Sequence, residues 1–153
     1  MELVQQVVRE VRSLRADLHT PPQERVEVRL VAGSAQASLE SHHGLLEFLG
    51  RARVQFVDET QRPVPAAGGV VGPVEVWVPL DRAQADRLAQ RAREELEEVQ
   101  REIERVRSRL ENPDFLRRAP AEVVEAERER LSQAQARRDK LARYLVSDPT
   151  QRS

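Results

Sequence analysis

Residues 112–120 read Asn-Pro-Asp-Phe-Leu-Arg-Arg-Ala-Pro and separate two long segments that are rich in charged side chains. In the first segment, which starts near residue 81, apolar side chains recur every three or four positions. They are Leu88, Ala92, Leu96, Val99, Ile103, Val106 and Leu110. This spacing is close to the 3.5-residue repeat of a coiled-coil seam and predicts a long exposed helix.

The second segment carries a weaker form of the same pattern. Its apolar positions are Val124, Leu131, Ala134, Leu141 and Leu145, with Glu127 and Arg138 at intermediate positions. Because the break between the segments is short, the two helices can only fold back antiparallel. Residues 81–146 are therefore predicted to form a helical hairpin, an arm suited to reaching a partner.

The ends of both predicted helices are marked by local chemistry. Asp81 is followed three positions later by Gln84, a pairing that predicts a capping box at the start of the first helix. Pro113 is expected to end that helix. Pro120 suits the first position of the second helix, where its missing N–H would have no helical partner.

Charge is distributed unevenly along the hairpin. Folding it about Phe115 gives a basic base, an acidic waist over residues 94–104 and 122–129, and a basic tip. The base contains Arg82, Arg87, Arg91, Arg93, Arg137, Arg138, Lys140 and Arg143, and the tip contains Arg105, Arg107, Arg109, Arg117 and Arg118. Two separated basic ends suit contacts with phosphates. A solvated helix face accounts for the same residues, so both interpretations stay open.

The first eighty residues have the pattern of a different unit. A helical stripe runs from Leu3 to Leu18 and is expected to stop at Pro21-Pro22. Alternating apolar residues predict strands at 26–30 and 74–78, and a short strand is expected at 54–57. Between the strands we expect a helix over 34–50 and a Pro/Gly connector over 62–73.

In the helix over 34–50, the side chains expected to point inward are Leu39, Leu45, Leu46, Phe48 and Leu49, with Gly50 at the helix end. The resulting fold class is α+β: a small mixed helix/sheet body over 1–80, then a long antiparallel two-helix coiled-coil arm over 81–146. Residues 147–153 are expected to be a disordered tail.

Composition narrows the class of protein. The 153 residues include no cysteine, which excludes a disulfide framework and a cysteine-based zinc site and fits a cytoplasmic protein. No apolar stretch approaches membrane-spanning length, so no membrane partner is expected. Lys140 is the sole lysine. The excess of arginine fits phosphate recognition, because guanidinium forks match phosphate oxygens, and it fits a GC-rich genome equally well.

No catalytic pattern is visible in the sequence. His42 and His43 are adjacent, so on a helix their side chains point about 100° apart, and no ligand-spaced cysteine or carboxylate accompanies them. Gly68-Gly69 with Gly72 lacks the lysine of a phosphate-binding loop. Trp77 lies on a predicted strand and is expected to pack. No metal, cofactor or catalytic residue is expected.

The most specific stretch is 112–128, which continues from Asn112-Pro113 through Ala119-Pro120 to a Glu-Val-Val-Glu run. It resembles the C-terminal region of the bacterial valyl-tRNA synthetase family. Residues 11–18, before Pro21-Pro22, are similar to the last helix of that family's anticodon-binding domain. Residues 48–54 and 79–81 are similar to its linker to the coiled coil.

This resemblance implies a tRNA-binding accessory module, because the family's coiled coil packs against the tRNA elbow. The implied contacts are with RNA backbone and folded shape. The implied candidate residues are Arg105, Arg107, Arg109, Arg117 and Arg118 at the tip and Arg137, Arg138 and Arg143 at the base. Phe115 is expected to be a packing plug for the turn, with base stacking as the alternative.

The family's catalytic signatures are not found in this chain, so it is not expected to charge tRNA by itself. ATP and valine would be used by a catalytic domain, which is a further expected partner beside valine-specific tRNA; no DNA partner is expected. The chain could be part of a longer synthetase or a free-standing relative. Two alternatives remain: a coiled-coil adapter that binds a protein, and a truncated synthetase remnant.

Overall fold

The computed structural model describes residues 1–146, and the tail predicted for 147–153 lies outside them. The chain has the predicted α+β fold and divides into two compact units, Met1–Leu88 and Ala89–Val146, which are called unit 1 and unit 2. The domain boundary predicted at residue 81 stays a prediction. None of the helices described is long and apolar enough to span a membrane.

Unit 1 is built on a four-stranded sheet. Its helices are α1 (Glu2–Asp17), α2 (Gln36–Glu40) and α3 (His43–Gly50), and its strands are β1 (Val26–Val31), β2 (Ala52–Phe56), β3 (Ala66–Val71) and β4 (Val74–Pro79). The strand order is β2-β1-β4-β3. β1 runs parallel to β2, whereas β4 runs antiparallel to both β1 and β3.

The core of unit 1 lies between α1 and one face of the sheet. α1 packs against β3, β4 and α3. Its apolar stripe and the alternating residues of β1 and β4 are almost completely buried. They include Val4, Val7, Val11, Leu14, Val28, Leu30, Val74 and Val76. Burying such a side chain stabilises the fold by about 1.5–3 kcal/mol. The helix and both alternating strands were therefore predicted correctly.

The helix predicted over 34–50 is interrupted. Gly33–Ala35 form a 3₁₀ turn, α2 follows, and α3 starts at His43 after a break. At the break, the Ser41 hydroxyl donates to the Ser38 carbonyl at 2.6 Å, the kind of local bond by which serine competes with a regular helix. Leu39 and Leu46 are buried as predicted, but Leu45 and Phe48 are exposed, so their inward orientation was wrong.

The connector predicted over 62–73 contains strand β3, which the sequence pattern missed. Gly68 lies directly under the Trp77 ring, and a Cβ at Gly68 would collide with that ring. A Cβ at Gly69 would meet the Glu10 carboxylate, the end of a flexible side chain that can move aside. Gly68 therefore makes room for Trp77 within a strand instead of forming a turn. Trp77 packs across the sheet, as predicted.

Glu75 on β4 forms an ion pair with Arg62. Arg62 donates from Nε and Nη2 to the two carboxylate oxygens of Glu75, at 2.7 and 2.6 Å. Trp77 Nε1 donates to Glu75 Oε1 at 2.9 Å. Chiefly because of the hydrogen bond from Arg62, the pKa of Glu75 lies below its ordinary value.

The remaining helices are α4 (Arg82–Glu111), α5 (Pro113–Arg118) and α6 (Ala121–Val146). The predicted capping box is present before α4: Gln84 N donates to Asp81 Oδ1 at 2.8 Å, and Asp81 N donates to Gln84 Oε1 at 2.9 Å. α6 starts one residue after the predicted position at Pro120.

The break predicted over 112–120 contains a short helix, α5. The Asn112 side chain accepts a hydrogen bond from Asp114 N at 3.0 Å, and Pro113 occupies the first turn. An asparagine cap followed by proline starts a new helix as effectively as it ends the preceding one. The sequence stretch that separates α4 from α6 is therefore itself a turn of helix.

The apolar seams of α4 and α6 are largely buried. On α4 the buried residues include Ala92, Val99, Ile103 and Val106, and on α6 they are Val124, Ala134, Leu141 and Tyr144. Leu96, Leu110, Leu131 and Leu145 are half-buried. The sequence pattern therefore predicted both seams, but it missed Tyr144.

Candidate nucleic-acid interface

Ion pairs join α4 to α6. Glu95 pairs with Arg137, Glu102 with Arg130 at 3.7 Å, and Arg109 with Glu127 at 3.2 Å. Residue numbers rise along α4 while those of the partners fall along α6, so the two helices run antiparallel. On α4 the paired residues are seven positions apart and share one flank of the seam. We call this flank the paired edge.

Glu127 is the most confined carboxylate of the paired edge. The residue is 9% exposed although glutamate is rarely buried. Its Oε1 lies 3.2 Å from Arg109 Nη1 and accepts from Arg130 Nη1 at 3.4 Å. Its Oε2 is buried and finds no hydrogen-bond partner among residues 1–146. Arg109 and Arg130 therefore both interact with the same oxygen of the buried Glu127 carboxylate.

Arg109 is held from a second side by an aromatic ring. Its guanidinium carbon lies 6.0 Å from the centroid of Phe115, at the outer limit of a cation–π contact. Phe115 is half-buried, which fits its predicted role in packing the turn. Arg109 was predicted as an RNA contact, and within the hairpin its side chain already contacts Glu127 and Phe115.

The opposite flank of the seam has no acidic residue at the corresponding positions. These positions are Arg93, Gln100 and Arg107 on α4 and Arg128 and Gln135 on α6, again seven apart on each helix. We call this flank the open edge. Arg107 is exposed and forms no ion pair within the described chain; Arg128 pairs with Glu125 of its own helix at 3.6 Å. At these flanking positions the open edge therefore carries arginine and glutamine side chains and no carboxylate.

The other arginines at the tip differ in whether they already form an ion pair. Arg105 and Arg118 are exposed and, like Arg107, form no ion pair with any residue from 1 to 146. Arg117 pairs with Asp114 inside α5. Arg105 and Arg109 also line a shallow depression on the outer surface of α4, together with Arg101, Glu104 and Ser108.

The three arginines predicted at the base also fall into two groups. Arg137 belongs to the paired edge, and Arg138 pairs with Asp139 at 3.2 Å. Arg143 is exposed. The structure therefore divides the eight predicted arginines into those bound to carboxylates and those open to solvent, and which of them contact RNA stays a prediction.

Sequence reasoning did not select Arg101 or Arg128. Arg128 could have been found by assigning heptad positions, because the flank of a side chain follows from that register, whereas Arg101 lies on the outer surface of α4. Within residues 1–146, no cluster of three histidine or acidic side chains has the arrangement of a metal site.

Comparison with known proteins gives consistent matches. Residues 85–147 match the family model described as the valyl tRNA synthetase tRNA binding arm. The valine–tRNA ligase of Carboxydothermus hydrogenoformans is 37% identical over 135 residues, which cover 86% of this chain and 15% of that protein. The valine–tRNA ligase of Geobacter sulfurreducens is 33% identical over 149 residues, covering 95% of this chain and 17% of that protein.

The valine–tRNA ligase of Bacillus subtilis is 28% identical over 155 aligned residues, covering 95% of this chain and 17% of that protein. The chain thus spans about 15–17% of the length of these relatives. The similarity extends through both units, and the resemblance expected from the sequence is confirmed.

Proposed function

We propose that this chain, which matches the C-terminal region of valine–tRNA ligases, is a tRNA-binding accessory module of a valine-specific aminoacyl-tRNA synthetase. The observation that carries the proposal is the match of residues 85–147 to the family model of the tRNA binding arm. In this proposal, α4 and α6 form a coiled-coil arm that contacts the elbow and backbone of folded tRNA in the cytoplasm. ATP and valine are used by the synthetase's catalytic domain, a further partner.

Arginine chemistry supports contact with phosphates. Each guanidinium presents a planar fork of donors that matches phosphate oxygens, and every phosphate neutralised releases counterions. Of the eight predicted arginines, the best placed are the four that are exposed and have no carboxylate partner in the described chain, namely Arg105, Arg107, Arg118 and Arg143. To bind a phosphate, each of the other four would have to share its carboxylate partner or exchange it for the phosphate. These four are Arg109, Arg117, Arg137 and Arg138.

The asymmetry of the hairpin supports one orientation toward the RNA. On the paired edge, Glu95, Glu102 and Glu127 neutralise the arginines that face them. On the open edge Arg107 forms no ion pair within residues 1–146. A polyanion is therefore attracted more strongly to the open edge. We propose that the open edge, together with the tip, faces the tRNA.

The experiment is a titration of a valine tRNA transcript with the full chain, read by fluorescence anisotropy at several salt concentrations. Arg107→Gln should weaken binding about tenfold, the scale of one charge-assisted hydrogen bond. It should also reduce the salt dependence by about one phosphate contact.

Arg130→Gln is the matched control, because it removes the same charge from the paired edge. Its affinity should stay close to that of the unmodified chain. Absence of binding by the unmodified chain at low salt would overturn the proposal. Equal losses for the two variants would overturn the orientation.

A protein-binding adapter is the second candidate. It is favoured by two exposed apolar side chains near the turn, Leu116 at 41% and Val123 at 43% exposure. Affinity capture with and without nuclease treatment separates the two functions. Under the tRNA proposal, nuclease removes the captured material, whereas protein retained after nuclease would support the adapter.

A further inference from the structure

We propose that the surface around Phe48 in unit 1 binds an unpaired nucleotide of RNA. The base would stack on the phenyl ring, and Arg25 and Arg51 would hold the phosphate. The inference concerns residues of unit 1 alone and goes beyond the hairpin contacts proposed above. Phe48 is 72% exposed, and leaving such a ring in water forgoes about 1.5–3 kcal/mol of burial energy.

Phe48 forms one wall of a shallow depression. The other lining residues are Pro22, Gln23, Arg25 and Arg51. An aromatic face with guanidinium groups beside it is the combination by which proteins bind unpaired nucleotides. Stacking on an aromatic side chain contributes about 1–3 kcal/mol per base, and arginine forks bind the phosphate.

A buried arginine stabilises the backbone around this depression. Arg15, 7% exposed, donates from Nη1 to the carbonyls of Glu24 at 2.6 Å and Arg51 at 2.9 Å, and from Nη2 to that of Pro21 at 2.8 Å. These bonds tie the loop over 21–25 to the end of α3. A preorganised site loses less conformational entropy on binding.

Arg51 is positioned by the backbone. It follows Gly50 with a positive φ of 49°, the left-handed conformation that commonly ends a helix. Its Nη1 donates to the Pro22 carbonyl at 2.6 Å, which fixes the side chain across the loop while other guanidinium donors remain. Arg51 can therefore bind an anion without giving up that bond.

Local charge favours a phosphate over a peptide partner. Arg25 is exposed and makes no ion pair within residues 1–146. Two arginines beside a single aromatic ring line this small site, an arrangement that fits a phosphate next to a stacked base. The only other exposed large apolar residue on α3 is Leu45, so the apolar area is small.

The probe for the test is tetra-adenylate RNA, which is too short to form a folded elbow. It is titrated at low salt into the full isotope-labelled chain, and backbone amide shifts are followed by NMR. Shift changes should concentrate at residues 23–25 and 48–51. Phe48→Ala should weaken binding about tenfold or more, and Phe48→Tyr should retain it.

Two controls make the test specific. Leu45→Ala alters the same helix outside the depression and should leave binding unchanged. Arg130→Gln removes a positive charge from unit 2 at a residue already paired with Glu102 and Glu127, and should also leave tetra-adenylate binding unchanged. Because Phe48 is exposed, thermal unfolding of Phe48→Ala should match that of the unmodified chain.

The proposal is overturned if tetra-adenylate does not bind, if the shift changes lie elsewhere, or if Phe48→Ala binds as well as the unmodified chain. Equal loss in Leu45→Ala would also count against it. A chain that binds folded tRNA but not tetra-adenylate would refute this site and leave the function proposed for the hairpin standing.

Discussion

Glu127 Oε1 lies 3.2 Å from Arg109 Nη1, while Glu127 Oε2 is buried with no partner in residues 1–146. This pair places a desolvated carboxylate inside an apolar seam. The two arginines beside it are half-exposed or more, with side-chain exposures of 50% for Arg109 and 57% for Arg130. They can be hydrated without Glu127, but Glu127 cannot be hydrated where it lies.

We expect Glu127→Leu to stabilise the hairpin by about 1 kcal/mol, because it removes an unsatisfied buried oxygen and fills the seam with an apolar group. Urea denaturation followed by circular dichroism measures the change. Glu102→Leu is the control, since the Glu102 side chain is 39% exposed and its replacement should change the free energy of unfolding little. A clear loss of stability in Glu127→Leu would show that the ion pairs outweigh the desolvation.

Gly68→Ala should destabilise unit 1 by about 2 kcal/mol, because the added methyl group collides with the Trp77 ring in a packed sheet. Thermal unfolding followed by Trp77 fluorescence measures the loss. Gly44→Ala is the matched control: its Cβ meets open space on α3, so we expect no change or a gain of up to about 1 kcal/mol. Similar stability of the two variants would contradict this account of the glycines in β3.

The Arg62–Glu75 pair should make stability depend on pH. Because the pKa of Glu75 is lowered in the folded state, the pair stabilises the fold above the unfolded pKa, about 4.3, and this contribution is lost as pH falls through the folded value. Denaturant unfolding from pH 6 to pH 3 should show the unmodified chain losing its advantage over Glu75→Gln at the acidic end. An advantage that is constant over this range would contradict the assignment.

Asp81→Ala should cost about 1 kcal/mol, because the Asp81 side chain accepts from the otherwise unpaired Gln84 N–H at 2.8 Å. Thermal unfolding by circular dichroism gives the difference. Arg82→Ala, in the exposed first turn of α4, serves as the comparison and should lower stability less. The prediction fails if both substitutions have the same effect.

Arg117→Glu combined with Arg118→Glu should weaken tRNA binding, since the change reverses two charges at the tip. The loss should be largest at low salt and should shrink as salt screens the charges. Anisotropy titrations of a valine tRNA transcript at two salt concentrations measure both effects. The charge swap Glu95→Arg with Arg137→Glu keeps the net charge and should change affinity little. Unchanged affinity of the tip variant would remove Arg117 and Arg118 from the interface.

Local periodicity predicted much of the fold because it depends on residues that are close in the chain. The stripe of α1, the alternation in β1 and β4, the seam of α4 and the Asp81–Gln84 cap all appear where the spacing places them. β3 was missed because Gly68 and Gly69 have no side chain to show alternation. The need for glycine at position 68 comes from the Trp77 ring on the neighbouring strand, a contact that alternation within one segment does not show.

For the candidate sites, too, the sequence determined some features and only the tertiary structure determined others. The sequence by itself determined that arginines gather at both ends of a helical hairpin and that residues 112–128 resemble a tRNA-binding family. Only the tertiary structure decided that Arg137 and Arg109 are held by Glu95 and Glu127 while Arg107 is not, and that Phe48 lies open beside Arg51. The physical reason is that helical spacing is a property of one segment, whereas an ion pair across a seam or a side chain's exposure depends on the register in which two segments pack.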